Sequence, residues 1–263
     1  MLLELAGPPC PPFSRFGLKR GCRDARFSTH RVWMADLRRR RPAVVVFENV
    51  IGYKLSTLRH TLGDIYHIEA AVLDPRLWGV KMGRPRIYAI LTLIGVATWT
   101  SSRSGRKLHQ LLEALTATPV MDVRSFFDDP DARALRKFNQ SEAKNLALYN
   151  KSKGRLGPGR ADVVDLQQTP NRGRSSLKDG SLPCFTTNSG SLYSRGLNRF
   201  LSPKQMMRAM GFPVNKLNLE LLGFSPSEIM AMAGNGMSVP CLTAVLLQVI
   251  LFVSPDSPDK PPQ

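Results

Sequence analysis

The sequence has 263 residues, of which 43% are hydrophobic, and this length suffices for one sizeable core with a small second domain. Lys and Arg total 37 against 20 Asp and Glu, and the formal net charge of +17 favours a polyanionic partner over an acidic small molecule. The four cysteines form no C-x-x-C pair, which argues against a zinc site and a disulfide scaffold. No apolar run approaches the roughly 20 residues of a membrane helix, and the N-terminus does not resemble a secretory signal. We therefore expect a soluble, intracellular protein without metal or membrane partner.

The first third of the chain predicts an α/β sheet. A short apolar run at residues 2–5 indicates a strand, and the β-branched run at 43–47 is typical of a strand buried on both faces of a parallel sheet. Two more strands are predicted at 66–73 and 86–94. A helix is predicted over 27–40, with Ser28 as its N-cap. This alternation of strands and helices indicates crossover connections.

The remainder predicts shorter elements. Helices are expected at 108–115, 132–149 and 204–210, and a long apolar helix at 237–253. Residues 151–180 are rich in Gly, Arg, Lys and Ser without hydrophobic period, and we interpret them as a loop. Residues 254–263 contain four prolines and are expected to form a disordered tail.

Five sequence motifs follow one another in a recognisable order. The sequence GPPC at 7–10, followed by Phe13 and Ser14, is similar to the G-P-P-C-Q-x-F-S-x-x-G loop of cytosine-5 methyltransferases. FENV at 47–50 resembles the E-N-V motif of that family, and residues 78–88 resemble its G-V-P-Q-x-R-x-R-x-[FY] motif. The ninth and tenth family motifs resemble segments further along, at 183–187, 199–203, 208–213 and 234–240. The resemblance to the DNA (cytosine-5)-methyltransferase family thus spans most of the chain.

The resemblance implies a chemistry and a role for each matched residue. C5 of cytosine is a weak nucleophile, so the family first adds a thiolate to C6; Cys10 would be this nucleophile, after two prolines. Glu48 would bind the base at N3 and its exocyclic amine as the acid, and Arg86 would reach the base O2 or a phosphate. The target cytosine must leave the duplex stack to be reached. The implied substrate is DNA, and the implied methyl donor is S-adenosyl-L-methionine.

Other matched residues receive supporting roles from the same resemblance. Ser14 would contact phosphate, Arg84 would support the substrate site, and Asn49 would hold the loop of the nucleophile on the substrate side. Three residues would lie beside the cofactor: Pro9, Asn235 and Ser238. Some of the matched residues have an ordinary alternative: a buried cysteine is usually only core, an Arg pair such as Arg84 and Arg86 can be a solvated strand edge, and Asn235 could simply end a turn.

The sequence also departs from the family pattern. Pro11 stands where the motif has Gln, and Lys81 and Met82 replace Pro-Gln. Only six residues precede Gly7, where the family has a glycine-rich F-x-G-x-G turn for the cofactor. The expected fold is therefore an α/β, Rossmann-like S-adenosylmethionine-dependent methyltransferase sheet, incomplete at the N-terminus. Its apolar edge at 2–5 would invite a partner, such as a complementing N-terminal cofactor-binding half.

We expect a catalytic α/β domain at 1–94, an inserted target-recognition lobe at 95–198, a return to the catalytic domain at 199–253 and a tail at 254–263. The predicted function is DNA (cytosine-5-)-methyltransferase. The alternatives are a non-catalytic nucleic-acid-binding fragment, one half of a split methyltransferase, or a tRNA cytosine-5 methyltransferase. The expected location is the nucleus in a eukaryote and otherwise the cytoplasm.

Overall fold

The computed structural model describes residues 2–13, 20–100, 123–127, 136–151, 162–176, 180–217, 219 and 221–256. The predicted helix at 108–115 lies outside these residues. In chain order, the helices and longer strands are β1 (Leu3–Ala6), α1 (Ser28–Arg40), β2 (Val44–Val50), α2 (Leu55–Leu62), β3 (Tyr66–Leu73), β4 (Arg86–Leu93), β5 (Ala97–Trp99), α3 (Gln140–Lys151), β6 (Val163–Asp165), β7 (Leu192–Ser194), β8 (Arg199–Phe200), α4 (Pro203–Ala209), α5 (Pro226–Asn235), α6 (Val239–Phe252) and β9 (Val253–Pro255).

The principal sheet has the strand order β1-β2-β4-β3. β1 runs parallel to β2, with Ala6 opposite Phe47, whereas β4 runs antiparallel to both β2 and β3. The four strand predictions are confirmed, and β2 is buried on both faces as expected. The expectation of a parallel environment for β2 is wrong on one side, because β4 returns between β2 and β3 in the opposite direction. β2 also continues to Val50, so Glu48 and Asn49 lie within the strand rather than after it.

One face of this sheet is covered by α1 and α2. Because side chains alternate along a strand, every second residue of β2 and β4 points to this face. The packed residues are Met34 and Leu37 of α1, Leu58 and Leu62 of α2, Val45 and Phe47 of β2, and Ala89 and Leu91 of β4. Each fully buried aliphatic side chain of this kind contributes about 1.5–3 kcal/mol of transfer free energy. This core holds the carboxyl ends of β1 and β2 in fixed register.

The predicted helix at 27–40 is confirmed as α1, but its predicted N-cap is wrong. Ser28 is the first helical residue, and Phe27 occupies the cap position with helical backbone angles because a short 3-10 turn runs directly into the helix. Asp24 caps that turn by accepting a hydrogen bond from the amide of Arg26. At the other end Arg41 takes a left-handed conformation with φ of 46°, and Pro42 follows it. Proline disfavours the α conformation of the preceding residue, which ends the helix there.

The chain divides into two compact units. The first comprises the described residues up to 74, from 85 to 100 and from 241 to 256. The second comprises residues 75–84 and the described residues between 123 and 240. Residues 199–240 thus belong to the second unit, although the sequence grouped them with the catalytic domain, because α4 and α5 pack into its apolar core. The functional names given to these segments stay predictions. β6, β7 and β8 form an antiparallel sheet in this unit.

Several expectations for the second half need correction. Of the helix expected at 132–149, residues 132–135 lie outside the described part, and the described helix runs from Gln140 to Lys151. β6 lies inside the stretch expected to be a loop. Ser254 and Pro255 pair with β5 as part of β9 rather than starting a tail; residues 257–263 lie outside the described part. Both α4 and the unpredicted α5 begin with a proline after a serine capping box. The helices expected at 204–210 and 237–253 are confirmed as α4 and α6.

Within the described ranges, no single helix has the length and apolar character needed to cross a membrane. The bent pair formed by α5 and α6 meets the length and composition criteria only when both helices are taken together.

Candidate active site

The segment that carries Cys10 leaves the sheet at the end of β1; we call residues 7–13 the GPPC segment. The Cys10 side chain is half-buried, and the Cys10 carbonyl accepts a hydrogen bond of 2.9 Å from the amide of Phe13, which closes a tight turn. Upstream of Cys10, the carbonyl of Pro8 accepts a hydrogen bond of 3.0 Å from the Asn49 side-chain amide. Asn49 is buried within β2, so it holds the segment at a fixed place beside that strand.

Phe13 anchors the other end of the GPPC segment. Its ring is buried and lies 4.7 Å, centroid to centroid, from the ring of Tyr53 and 5.8 Å from that of Phe27. Gly52 allows the backbone to come this close, because a Cβ atom at that position would stand 2.4 Å from the carbonyl oxygen of Phe13. The turn after β2 therefore contacts the GPPC segment three residues beyond Cys10.

Glu48 and Arg86 form an ion pair at the same end of the sheet. Arg86 Nε lies 3.1 Å from Glu48 Oε1, and the two side chains are only 14% and 10% exposed. Their contact follows from the strand register, in which Glu48 stands opposite Tyr88 and Val50 opposite Arg86, so the two charged residues are diagonal neighbours on one face. A second nitrogen of Arg86 donates to the Pro85 carbonyl at 2.9 Å.

The topology explains why these residues meet. β1 and β2 are parallel, so their carboxyl ends lie at one edge of the sheet, and β4 is antiparallel to β2, so its first residue lies at that edge as well. A half-buried thiol and a carboxyl group paired with a guanidinium therefore share this edge. A nucleophile with a nearby proton donor is the set of groups needed for addition to an electrophilic ring carbon.

Arg84 belongs to the second unit and is almost fully buried, at 2% exposure. Its guanidinium donates to three backbone carbonyls, those of Phe185 at 3.2 Å, Gly234 at 2.9 Å and Gly236 at 2.8 Å. These bonds join the segment after residue 182 to the end of α5. The predicted role in substrate binding stays a prediction, whereas the hydrogen bonds give Arg84 a structural role.

Asn235 and Ser238 belong to the second unit and lie at the end of α5 and directly before α6 in the chain. Asn235 is the last residue of α5. Ser238 is 2% exposed, and its hydroxyl has no hydrogen-bond partner in the described part of the chain. A buried hydroxyl without a partner is costly, so this atom fits a polar group of a bound ligand. Pro9 is exposed within the GPPC segment of the first unit, and the predicted cofactor contacts of all three residues stay predictions.

Four further residues were singled out from the sequence: Pro11, Ser14, Lys81 and Met82. Ser14 lies outside the described residues. Met82, which replaces a motif Gln, is fully buried in the core of the second unit, and the Lys81 carbonyl accepts a 2.7 Å bond from the amide of Leu182. Pro11 opens the turn after Cys10. Among the described residues, no cluster of three or more His, Cys, Asp or Glu side chains is arranged to hold a metal ion.

Two buried residues that support Phe13 of the GPPC segment were not predicted from the sequence: His30 and Tyr53. His30 of α1 is buried, and its Nε2 lies 2.9 Å from the hydroxyl of Tyr53. Its ring stacks on Tyr53 and on Phe27, with centroids 5.1 and 5.0 Å apart. Burial lowers the pKa of His30 from 6.5 to about 4, so the imidazole is neutral at pH 7. A histidine on the apolar face of α1 was the available signal in the sequence.

Comparison with solved structures places the fold among Rossmann-like methyltransferases. The Dnmt2 methyltransferase of S. pombe superposes with a TM-score of 0.61 and 16% identity, covering 94% of this chain and 77% of that one. The Entamoeba histolytica methyltransferase EhMeth gives a TM-score of 0.61 at 13% identity, with coverage of 94% and 76%. The predicted α/β, Rossmann-like methyltransferase fold is confirmed.

The chain belongs to the C-5 cytosine-specific DNA methylase family, whose model matches residues 3–250. The type II methyltransferase M.AplI of Arthrospira platensis is 30% identical over 93 residues, which span 33% of this chain but only 27% of that relative. The type II methyltransferase M.NlaX of Neisseria lactamica is 27% identical over an alignment of 270 positions that covers 97% of this chain and 78% of that relative. The predicted family membership is confirmed.

Proposed function

We propose that this chain transfers a methyl group from S-adenosyl-L-methionine to C5 of a cytosine in DNA, with Cys10 as nucleophile and Glu48 as acid. The observation that carries the proposal is the shared sheet edge, where β2 holds the GPPC segment through Asn49 and presents Glu48, which pairs with Arg86 at 3.1 Å. Membership of the C-5 cytosine-specific DNA methylase family supports it.

The residues would act in a defined order. The thiolate of Cys10 adds to C6 of the extruded cytosine while Glu48 donates a proton to N3, so the electron pair of the C5–C6 double bond is available at C5. The guanidinium of Arg86 holds the Glu48 carboxyl in place and offers a further donor to the base O2 or to a phosphate. Once C5 carries the donated methyl group, with the carbon–sulfur bond of the donor broken, loss of the C5 proton to a base in solution and elimination of the Cys10 thiolate would restore the aromatic ring, and N3 would return its proton to Glu48.

S-adenosyl-L-methionine would supply an electrophilic methyl group on a sulfonium. Ser238 fits this group best among the predicted contacts, because its buried hydroxyl lacks a partner in the described part of the chain. Asn235 and Pro9 are proposed as further contacts, and Ser14 and Arg84 as supports on the side of the DNA. The formal charge of +17 supports a nucleic-acid substrate, since the phosphate backbone dominates the affinity of such complexes.

We also propose that a further part of a methyltransferase, in the same chain or in another, covers β1 and completes the cofactor pocket. Among the described strands β1 lies at the edge of its sheet. Leu3 and Leu5 of β1 and Leu2 just before it are exposed, at 43%, 48% and 59%. An apolar edge strand of this kind favours pairing with additional chain. Calorimetric titration with S-adenosyl-L-methionine tests this, because tight binding by the isolated chain would show that no complement is needed.

The catalytic proposal is tested by trapping. Duplex DNA in which 2-pyrimidinone replaces cytosine accepts a thiol at C6 without methyl transfer, so it reports on Cys10 directly. We expect a covalent protein–DNA species that resists denaturation, that is lost in Cys10→Ser and that is kept in the matched control Cys22→Ser, whose thiol is exposed. A parallel arm with tRNA carrying the same base separates the two nucleic-acid substrates. A covalent species that persists in Cys10→Ser, or none with either nucleic acid, would contradict the proposal.

A further inference from the structure

Two of the contacts that flank Cys10 originate from β2 and the turn that follows it. Asn49 in β2 donates to the Pro8 carbonyl at 3.0 Å, two residues before Cys10. The Tyr53 ring lies 4.7 Å from the ring of Phe13, three residues after Cys10. The nucleophile is thus held on one side by the strand that presents Glu48 and on the other by the turn after that strand, and the position of the thiol relative to the acid depends on both contacts.

The contact between Tyr53 and Phe13 is itself supported by a residue of α1. The Tyr53 hydroxyl lies 2.9 Å from His30 Nε2, and the Phe13 ring lies 6.2 Å from the imidazole at 63° between planes. His30 is 1% exposed and Tyr53 3% exposed, so this hydrogen bond forms away from water. A buried hydrogen bond fixes the orientation of a ring that packing alone would leave free to shift.

Backbone proximity makes the arrangement intolerant of displacement. A Cβ atom at Gly52 would lie 2.4 Å from the Phe13 carbonyl oxygen, well inside the contact distance of two such atoms. The backbone amide of Tyr53 in turn donates to the Val50 carbonyl at 2.9 Å, which fixes the turn to the end of β2. A shift of the segment after β2 would therefore shift the GPPC segment as well, because the two segments are in direct backbone and ring contact.

We propose that Tyr53 and His30 are positioning residues, whose buried hydrogen bond sets the place of Cys10 by supporting Phe13. The proposal rests on the proposed function in naming Cys10 as the nucleophile, but the position of the thiol can be measured without any reaction on DNA. Neither residue touches the substrate; both act through Phe13. Loss of the hydrogen bond between Tyr53 and His30 releases the GPPC segment. The Cys10 thiol then becomes more exposed, and its alignment with Glu48 becomes weaker.

The test compares two tyrosines in the same unit. Tyr53→Phe removes the hydroxyl that meets His30. Tyr66→Phe is the matched control, because Tyr66 is equally buried, its hydroxyl likewise makes one hydrogen bond, at 2.9 Å to the Pro42 carbonyl, and it lies opposite Leu93, at the far end of the sheet from Arg86. Alkylation of the Cys10 peptide by iodoacetamide is followed by mass spectrometry. Covalent capture of 2-pyrimidinone DNA is followed in parallel over a range of DNA concentrations.

We expect Tyr53→Phe to raise the rate of Cys10 alkylation by about threefold to tenfold, the range that corresponds to one lost net hydrogen bond. The rate of DNA capture at saturating DNA should fall by a similar factor, with the half-saturating concentration unchanged. Tyr66→Phe should change neither rate, although both variants lower the melting temperature alike. Gly52→Ala should move both rates in the same directions as Tyr53→Phe.

The outcomes separate this inference from the proposed function. Equal alkylation rates in Tyr53→Phe, Gly52→Ala and the wild type would overturn the positioning role even if the wild type captures DNA. If the wild type captures no DNA while Tyr53→Phe still raises Cys10 alkylation, the proposed function fails and the positioning role stands. If Tyr66→Phe raised the alkylation rate and lowered the capture rate to the same extent as Tyr53→Phe, the effect would be general destabilisation and the inference would be overturned.

Discussion

The Asn49 side chain donates to the Pro8 carbonyl at 3.0 Å, so the strand that carries Glu48 is hydrogen-bonded to the segment that carries Cys10. The parallel pairing of β1 and β2 makes this bond possible, because it brings the ends of both strands to one edge. A thiol and an acid that are 38 positions apart in the chain are thereby held on a common frame.

Replacing Glu48 by Gln keeps the size of the side chain but removes the acid. We expect covalent capture of 2-pyrimidinone DNA to slow by about 10²- to 10⁴-fold, the usual contribution of a positioned general acid. The control is Glu69→Gln on β3, since Glu69 lies 3.3 Å from His67 and belongs to another strand. Capture rates of Glu48→Gln within a factor of two of the wild type would exclude Glu48 as the proton donor.

Replacing Arg84 by Ala leaves the Phe185, Gly234 and Gly236 carbonyls without their donor in a buried place. Each unsatisfied buried polar group costs about 1–3 kcal/mol, so the free energy of unfolding should fall by at least about 2 kcal/mol. Urea unfolding measures this. Arg172→Ala, at an exposed position of the same unit, should stay within about 0.5 kcal/mol of the wild type. Equal stability of both variants would deny Arg84 its structural role.

Gly234→Ala should destabilise the second unit through backbone contact. A Cβ atom there would stand 2.4 Å from the carbonyl carbon of Thr186 and 2.5 Å from the amide nitrogen of Thr187. Overpacking of this kind costs about 1–3 kcal/mol. Gly83→Ala is the matched control, because its nearest neighbours lie 3.8 Å away, at ordinary contact distance. Thermal unfolding of the two variants should differ, and identical midpoints would count against the close approach.

Stability should depend on pH through His30. The folded-state pKa is lowered from 6.5 to about 4 by burial, so the unfolded chain takes up a proton first as the pH falls. The contribution is complete above pH about 7 and is lost between pH about 6.5 and 4, to a total of up to about 3 kcal/mol.

His30→Phe removes this titration. Its free energy of unfolding is lower at pH 7, because the Tyr53 hydroxyl loses its partner, but it should fall less steeply on acidification than that of the wild type. His67→Gln, on an exposed side chain, should keep the wild-type slope. Parallel curves for His30→Phe and the wild type between pH 7 and 4.5 would contradict the buried, neutral imidazole.

The sequence by itself determined the strands of the principal sheet. A continuous β-branched run such as Val44 to Val46 favours an extended conformation, and both of its faces are apolar enough to be buried. The sequence also indicated the family, because five segments that resemble the motifs of that family follow one another in the order that the family has. The capping box of Ser225 and Glu228 is a local signal for the start of α5, since such caps depend only on neighbours three residues apart, but α5 was not predicted from it.

Only the tertiary structure decided which residues hold that chemistry in place. The direction of β4 brought Arg86 to Glu48, whereas the adjacent Arg84 turned to backbone carbonyls of another segment. The bond between His30 and Tyr53 joins residues 23 positions apart. Local patterns report periodicity and caps, but contacts over such separations depend on how helices and strands pack, and packing is a property of the whole chain.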